Sequence, residues 1–275
     1  MRLTILVDNN TFIDQYYYGE PAVSYYIETE GKSILFDTGY SDVLIRNAEI
    51  MGIDLKTVDC IAISHSHNDH TRGLQFLHEY MDLAEVELVA HPGCFIPKYV
   101  DGGYIGAPFD EETIAKITKY QPCKGVKKLT DHLFFLGTIP RTNDFENQTP
   151  IGVAEVDGKL EDDYNMDDTA LVYKGEDGIF VITGCSHSGI CNIVDYAKFV
   201  CGDERVLGVL GGFHLFADDE QLKKTIAYLE SCKIKTLYPC HCVSLLARAK
   251  MMEKLPVVET GVGMTVVVPE WKGSV

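Results

Sequence analysis

No stretch of this 275-residue chain approaches the ~18–20 consecutive apolar residues that cross a bilayer, so it offers no membrane-spanning helix. Positive charge is scarce as well: 24 Lys and Arg stand against 41 Asp and Glu, a formal charge of −17. A surface of that sign repels nucleic acid and anionic lipid, and no basic stripe offsets it. An anionic substrate would need local positive charge, for which bound metal is the obvious source. No secretion signal is expected either. The opening apolar run, residues 3–7, stops at Asp8 with no small-residue cleavage site after it, and reads instead as a β-strand. Nine cysteines are an odd count in a chain too long to need disulfide staples. Most of them, Cys60 and Cys201 for example, are expected to be small core residues. These absences point to a cytoplasmic protein with a small-molecule substrate, partnered by neither nucleic acid nor membrane. Its oligomeric state is left open.

What is present is an ordinary globular composition, 46% apolar and 24% charged. Strands are expected at 3–7, 23–27, 33–36, 59–64, 87–90, 133–136, 170–173, 179–183, 205–210 and 235–238, with closing strands near Val257 and at 265–268. Helices are expected at 41–51 (capped by Ser41, stopped by Gly52), 72–81, 190–200, 218–231 and 244–251. Both halves run strand-rich and then alternate β with α. That order suits an α/β fold of two mixed sheets packed face to face with helices outside, a four-layer αββα sandwich. One domain, 1–275, is expected. Within it the stretch 91–168 is broken by Gly102, Gly103, Gly106, Pro108, Pro122 and Pro140, which argues against regular sheet. It reads either as irregular surface loops or as an insertion roofing a pocket.

The chemistry-bearing string is Ser64-His65-Ser66-His67-Asn68-Asp69-His70, directly after a buried strand. In an extended chain residues i, i+2 and i+4 share a side, so His65, His67 and Asp69 converge and His70 enters from the next turn. Clustered neutral imidazoles with a carboxylate form a divalent-metal site and would be costly to desolvate otherwise. Three later histidines, His187, His214 and His241, each follow a predicted strand, where open α/β sheets place their sites. His187 and His241 are expected as ligands. Cys185 is either a thiolate ligand or a small buried residue in a tight turn. Cys240 and Cys242 have the opposite parity to His241, which turns both away from the site.

His65-x-His67-x-Asp69-His70 is similar to the signature of the metallo-β-lactamase superfamily, and Leu35-Phe36-Asp37-Thr38-Gly39 resembles the strand-turn preceding it. Ile139-Pro140-Arg141-Thr142, Phe145-Glu146, Asp167-Asp168-Thr169, Gly184-Cys185-Ser186-His187 and Gly211-Gly212-Phe213-His214 resemble one branch. That branch contains a methanopterin-pathway dihydropterin synthase and bacterial relatives. The resemblance covers roughly residues 3–268. It implies the metallo-β-lactamase fold, with Asp37 supporting the metal site from behind the ligands. Departures fall at Pro21-Ala22-Val23-Ser24, where the branch often has His-Gly-Leu-Ser, and at Arg72, where it has Gly. Cys185 replaces a bridging aspartate, and Asp167-Asp168 stands in place of a metal-binding histidine. The last two bear on the second metal position.

The expected cofactor is one or two divalent ions, zinc first, with iron or manganese as alternatives. Such an ion lowers the pKa of bound water and polarises a carbonyl or phosphoryl oxygen. Asp69 would orient that water or accept its proton, and His214 would stabilise charge on the substrate if it is not a ligand. The resemblance implies transfer on a phosphorylated, pterin-like molecule, with Arg141, Arg72 and Asp168 as substrate contacts. Hydrolysis of an ester, lactone or phosphodiester is the other enzymatic reading. A non-catalytic, metal-stabilised binding or sensing protein is the alternative that the cysteine replacement favours.

Overall fold

A computed structural model of the chain describes residues 1–270; residues 271–275 of the expected domain lie outside the described residues. The first third forms β1 (Arg2–Val7), β2 (Ser24–Thr29), β3 (Lys32–Phe36), α1 (Val43–Met51), β4 (Cys60–Ala62), α2 (Asn68–Thr71), α3 (Gly73–Tyr80) and β5 (Glu87–Ala90). The middle forms β6 (Lys98–Val100), β7 (Gly103–Tyr104), α4 (Glu111–Ile117), β8 (Lys119–Pro122), β9 (Lys127–Lys128), β10 (Leu133–Phe135), β11 (Val153–Val156) and β12 (Lys159–Asp162). The last third forms β13 (Ala170–Gly175), β14 (Gly178–Thr183), α5 (Ile190–Cys201), β15 (Val206–Gly211), α6 (Glu220–Ser231), β16 (Thr236–Pro239), α7 (Leu245–Met252) and β17 (Thr265–Val267).

Two mixed sheets carry the fold. The first runs β17-β1-β2-β3-β4-β5-β8 and the second β16-β15-β14-β13-β10-β9. In each, an antiparallel hairpin feeds parallel strands: β2–β3 leads to β4 and β5, and β13–β14 leads to β15 and β16. Side-chain alternation sorts the strands onto their cores. Leu3, Ile5, Ile34 and Phe36 of the first sheet share one buried cluster with Phe135, Leu171, Tyr173 and Ile182 of the second. The opposite face of the second sheet, with Val172, Val181 and Val209, packs on Ile193, Ala197, Leu222 and Ile226 of α5 and α6. The opposite face of the first, with Leu35, Ile61 and Leu88, packs on Leu44, Ala48, Leu74 and Leu77 of α1 and α3.

The middle third departs from the sequence expectation. It forms regular sheet after all: a third, four-stranded sheet in the order β12-β11-β6-β7, while β8 extends the first large sheet and β9–β10 extend the second. Of the glycines taken as breaks, Gly102 is a hairpin turn and Gly103 opens β7 itself. Asp101-Gly102 joins β6 to β7 and Asp157-Gly158 joins β11 to β12, every one of the four with positive φ (49°, 79°, 50° and 73°). Two-residue Asp-Gly loops of this kind match the twist of a hairpin, and the strands are simply as short as the spacing between them. Glu30-Gly31 closes β2–β3 in the same way, at 52° and 75°.

One close approach fixes α3 against the turn after β3. A Cβ added to Gly73 would meet the Thr38 carbonyl oxygen at 1.9 Å, and Thr38 N already donates to the His70 carbonyl at 2.7 Å. Gly73→Ala should therefore lower stability by about 1–3 kcal/mol in urea unfolding. Gly125→Ala, whose methyl meets nothing within 4 Å, should not. Equal midpoints for the two variants would remove this packing argument.

Candidate metal centre

The turns after β3, β4, β14, β15 and β16 meet at one edge of the two large sheets. Four of them hold a non-glycine residue in the left-handed region: Asp37 (φ 58°), Ser186 (57°), His214 (51°) and His241 (50°). Such conformations cost on the order of 1–3 kcal/mol each and persist where the surroundings over-determine them. Here they re-aim side chains that strand alternation would have turned elsewhere.

Asp37 is fully buried and anchors the first group. Its Oδ1 accepts from Ser64 N at 2.7 Å, and its Oδ2 accepts from Ser64 Oγ at 2.7 Å and lies 2.7 Å from His70 Nδ1. Ser64 Oγ in turn lies 2.9 Å from His65 Nδ1, and Asn9 Oδ1 lies 3.0 Å from His241 Nδ1. Three imidazoles thus have Nδ1 occupied and Nε2 turned inward. His70 Nε2 lies 3.1 Å from Cys185 Sγ, His65 Nε2 lies 3.2 Å from His187 Nε2, and His241 Nε2 lies 3.2 Å from Asp69 Oδ2. The donor atoms fall into two groups, each gathered within 4.8 Å: Asp69, His70, Cys185 and His241, and His65, Cys185 and His187. Cys185 belongs to both.

These residues fit a divalent metal. Two buried imidazole nitrogens face each other at 3.2 Å, where a cation between them serves better than a proton. Burial, reinforced by neighbouring imidazoles, holds His65 and His187 well below the usual histidine range, so both present neutral lone pairs. Burial and the Lys98 charge bring His67 down to about 4. His70 differs. Burial opposes its protonation, but the Asp69 and Asp37 carboxylates outweigh it and raise the imidazole to about 9. Burial likewise works against Asp69 ionising, yet His70 and His241 keep its carboxyl well below the usual range. A carboxylate held that firmly is better suited to ligation and orientation than to accepting protons.

Other expected residues are placed as follows. His67 is buried beside His65 and His187 but joins neither donor group; its Nε2 lies 3.0 Å from Asn165 Nδ2. His214 is in neither group and lines the pocket, its ring centroid 4.6 Å from that of His187. Burial and the His241 charge lower its pKa, leaving a neutral imidazole. Arg72 stacks its guanidinium 4.4 Å from the centroid of Tyr40, a pocket-lining ring. Asp168 Oδ2 accepts from Ser188 N at 2.8 Å and Ser188 Oγ at 2.5 Å, and burial pushes the carboxyl up to about 6. Asp167 bonds Lys98 and Ser66 N instead. Arg141 lies outside the pocket over the donors and lines a neighbouring cavity.

One expectation is corrected. Cys240 is buried, its Sγ 3.2 Å from Tyr25 Oη, but Cys242 lines the metal-facing pocket rather than turning away. The left-handed backbone at His241 breaks the alternation on which that expectation rested. Against the effect of burial, a hydrogen bond from Cys185 and the His241 charge bring the Cys242 thiol down to about 7. Asn9, Ser64 and Asn165 carry no sequence signal of their own. Only Ser64, adjacent to His65, could have been suspected.

The family model of the metallo-beta-lactamase superfamily matches residues 17–241. The chain belongs to this superfamily. It is 32% identical over 255 residues to an uncharacterized protein, MJ0448, of Methanocaldococcus jannaschii, covering 91% of this chain and 94% of that one. It is 29% identical over 253 residues to the 7,8-dihydropterin-6-methyl-4-(beta-D-ribofuranosyl)-aminobenzene-5'-phosphate synthase of the same organism, covering 86% of each. Among solved structures, Tm1679, described as a metal-dependent hydrolase of the beta-lactamase superfamily, superposes with a TM-score of 0.83 at 27% identity. It covers 98% of this chain and 100% of that one. The superfamily member thus carries the expected mixed-sheet fold. No helix among its described residues is long and apolar enough to cross a membrane.

In metal-free protein the His70 imidazole should titrate near pH 9 by NMR, and Asp37→Asn, which removes one of the two carboxylates raising it, should move that titration toward 6.5. An unshifted titration in the variant would show that Asp37 does not set the charge of His70.

Proposed function

We propose that the protein is a metal-dependent enzyme acting on a small, phosphorylated, pterin-like molecule by transfer or hydrolysis. The observation carrying this reading is the pair of donor groups sharing Cys185 at the base of a pocket of about 510 Å³. Pro21, Tyr40, Ile105, Ile151 and Phe216 give that pocket apolar and aromatic walls suited to a flat ring. Ile105 and Ile151 come from the 91–168 stretch, which supports its reading as a roof within one domain. The three cores, one between the sheets and one under each helix layer, support the αββα order. Likeness to a pterin-pathway synthase and to a metal-dependent hydrolase supports the reaction class.

Asp69, His70, Cys185 and His241 would hold one ion, and His65, His187 and the same Cys185 a second, with His67 available if Asn165 releases it. Imidazole and thiolate donors favour zinc over harder cations. When bound, the metal supplies Lewis acidity and brings water's pKa toward neutrality. The chain's own residues do the remaining work. Asp69 orients the attacking group, and the walls contributed by Tyr40, Ile105, Ile151 and Phe216 exclude water. The neutral His214, at the pocket surface beside His187, donates a hydrogen bond to the oxygen on which charge develops.

The test is turnover of a panel of pterin phosphates with an arylamine acceptor, phosphodiesters and lactones by the metal-loaded and chelator-stripped protein. Activity on one class that chelation abolishes is the expected result. No turnover with any class would favour the binding or sensing alternative.

Two quantitative outcomes accompany it. Because a metal must displace the proton that His70 holds up to about 9, apparent affinity should rise about tenfold per pH unit between 7 and 9 from this group alone. Competition with a chelator across that range measures the slope, and a flat profile would mean that His70 is not a ligand. Asp37→Asn should weaken metal binding roughly 10- to 100-fold, as loss of a hydrogen-bond partner behind a metal-bound histidine commonly does.

A further inference from the structure

Cys185 follows β14 and Cys242 follows β16, and both line the metal-facing pocket; among the described residues no other cysteine does. β15 lies between those two strands, so the strands themselves stand about 9–10 Å apart, farther than a disulfide spans. The turns beyond them close that distance. Gly212, just past the end of β15, makes the room: a Cβ there would meet Cys242 Sγ at 2.5 Å and the Gly184 carbonyl oxygen at 2.7 Å. Over this gap Cys242 Sγ comes within 3.7 Å of the Cys185 carbonyl oxygen, and the two thiols are hydrogen-bonded to each other.

The two sulfurs stand in different surroundings. Cys185 is buried and belongs to both donor groups, whereas Cys242 is half-buried and belongs to neither. The His214 backbone N–H donates to Cys242 Sγ at 3.3 Å, and the Cys185 thiol donates to the same sulfur. Both donors stabilise negative charge there, which makes Cys242 the attacking sulfur and Cys185 the one placed to resolve it. Holding an ion with the two donor groups calls for no second thiol, so the placement of Cys242 is left without a use in that role.

We propose that Cys185 and Cys242 form a redox modification site that closes to an intramolecular disulfide when hydrogen peroxide enters the pocket. The Cys242 sulfur attacks one peroxide oxygen and the O–O bond breaks. That oxygen stays on sulfur as a sulfenic acid, and the other leaves as water with the thiol's proton. The Cys185 sulfur then attacks the sulfenic sulfur; the S–S bond forms, the S–O bond breaks, and the hydroxyl takes the Cys185 proton away as a second water. The two sulfurs give up two electrons and the peroxide accepts them. Closure needs only the thiols and the oxidant. Its consequence rests on the metal reading above: the disulfide removes from both donor groups the one sulfur they share, so oxidation and metal loading exclude each other.

Peroxide treatment of the chelator-stripped protein, followed by alkylation and peptide mass mapping, tests the closure. A linked Cys185–Cys242 peptide should appear, with two fewer of the nine thiols open to alkylation, and dithiothreitol should reverse both changes. The oxidised protein should then bind zinc at least about tenfold more weakly than the reduced one, the least that losing a hydrogen-bond partner behind a ligand costs. Cys242→Ser, which removes the attacking sulfur but no member of a donor group, should take up zinc like the unaltered chain before and after peroxide. No linked peptide, a different linked pair, or Cys242 carried on to its sulfinic acid would overturn the site. A linked peptide with undiminished zinc uptake would uphold the site and remove Cys185 from the donor groups.

Discussion

The Asp37 carboxylate ties the site to the fold. It sits at zero exposure after β3, in a left-handed conformation, and joins three groups that the chain delivers from elsewhere. Ser64 N and Oγ end the next strand, and His70 Nδ1 belongs to the helix after that. A buried carboxylate with this many donors is stable only while all of them stay in place, so the strand end, the serine and the histidine are positioned together. The close approach of Gly73 to the Thr38 carbonyl then locks the following helix onto the same turn. The orientations of His65 and His70 follow from these contacts.

Charge is distributed in step with this framework. His65, His67 and His187 lie where burial keeps them neutral, whereas His70 lies between two carboxylates and holds its proton. The two donor groups therefore differ in character: one contains an anionic carboxylate and a protonated imidazole, the other neutral imidazoles. Cys185 belongs to both and brings sulfur to each. A thiolate within reach of both groups would favour softer cations than a carboxylate there, so this one residue bears on the metal preference of both.

Much of this was legible in the sequence, for definite reasons. Regular strands at 87–90 and 170–183 and helices at 190–201 and 220–231 follow from periodicity and caps, including Asp219 and Ser244, whose side chains accept from Leu222 N and Ala247 N. The convergence of His65 and His70 with His187 and His241 was readable because each follows a buried strand. The third sheet was missed because its strands are two to four residues long, and the Asp101-Gly102 hairpin turn was read only as an interruption. Cys242 was missed because parity fails where the backbone turns left-handed, a feature that no residue type at His241 announces. Asn165 and Asn9 were invisible: an asparagine in a loop acquires its role only from the partner that tertiary folding brings to it.

The donor atoms come from opposite ends of the chain. His65 and His187 touch across 122 residues, and Asn9 steadies His241 across 232. Nine cysteines form no disulfide among them. An ion held by these ligands would therefore act as the missing cross-link, closing loops longer than most disulfides close. In a chain-entropy picture a closure of about 100 residues is worth on the order of 4–5 kcal/mol. Release of the ion would remove that constraint while leaving the core shared by the two sheets in place, so the metal-loaded chain should outlast the metal-free one.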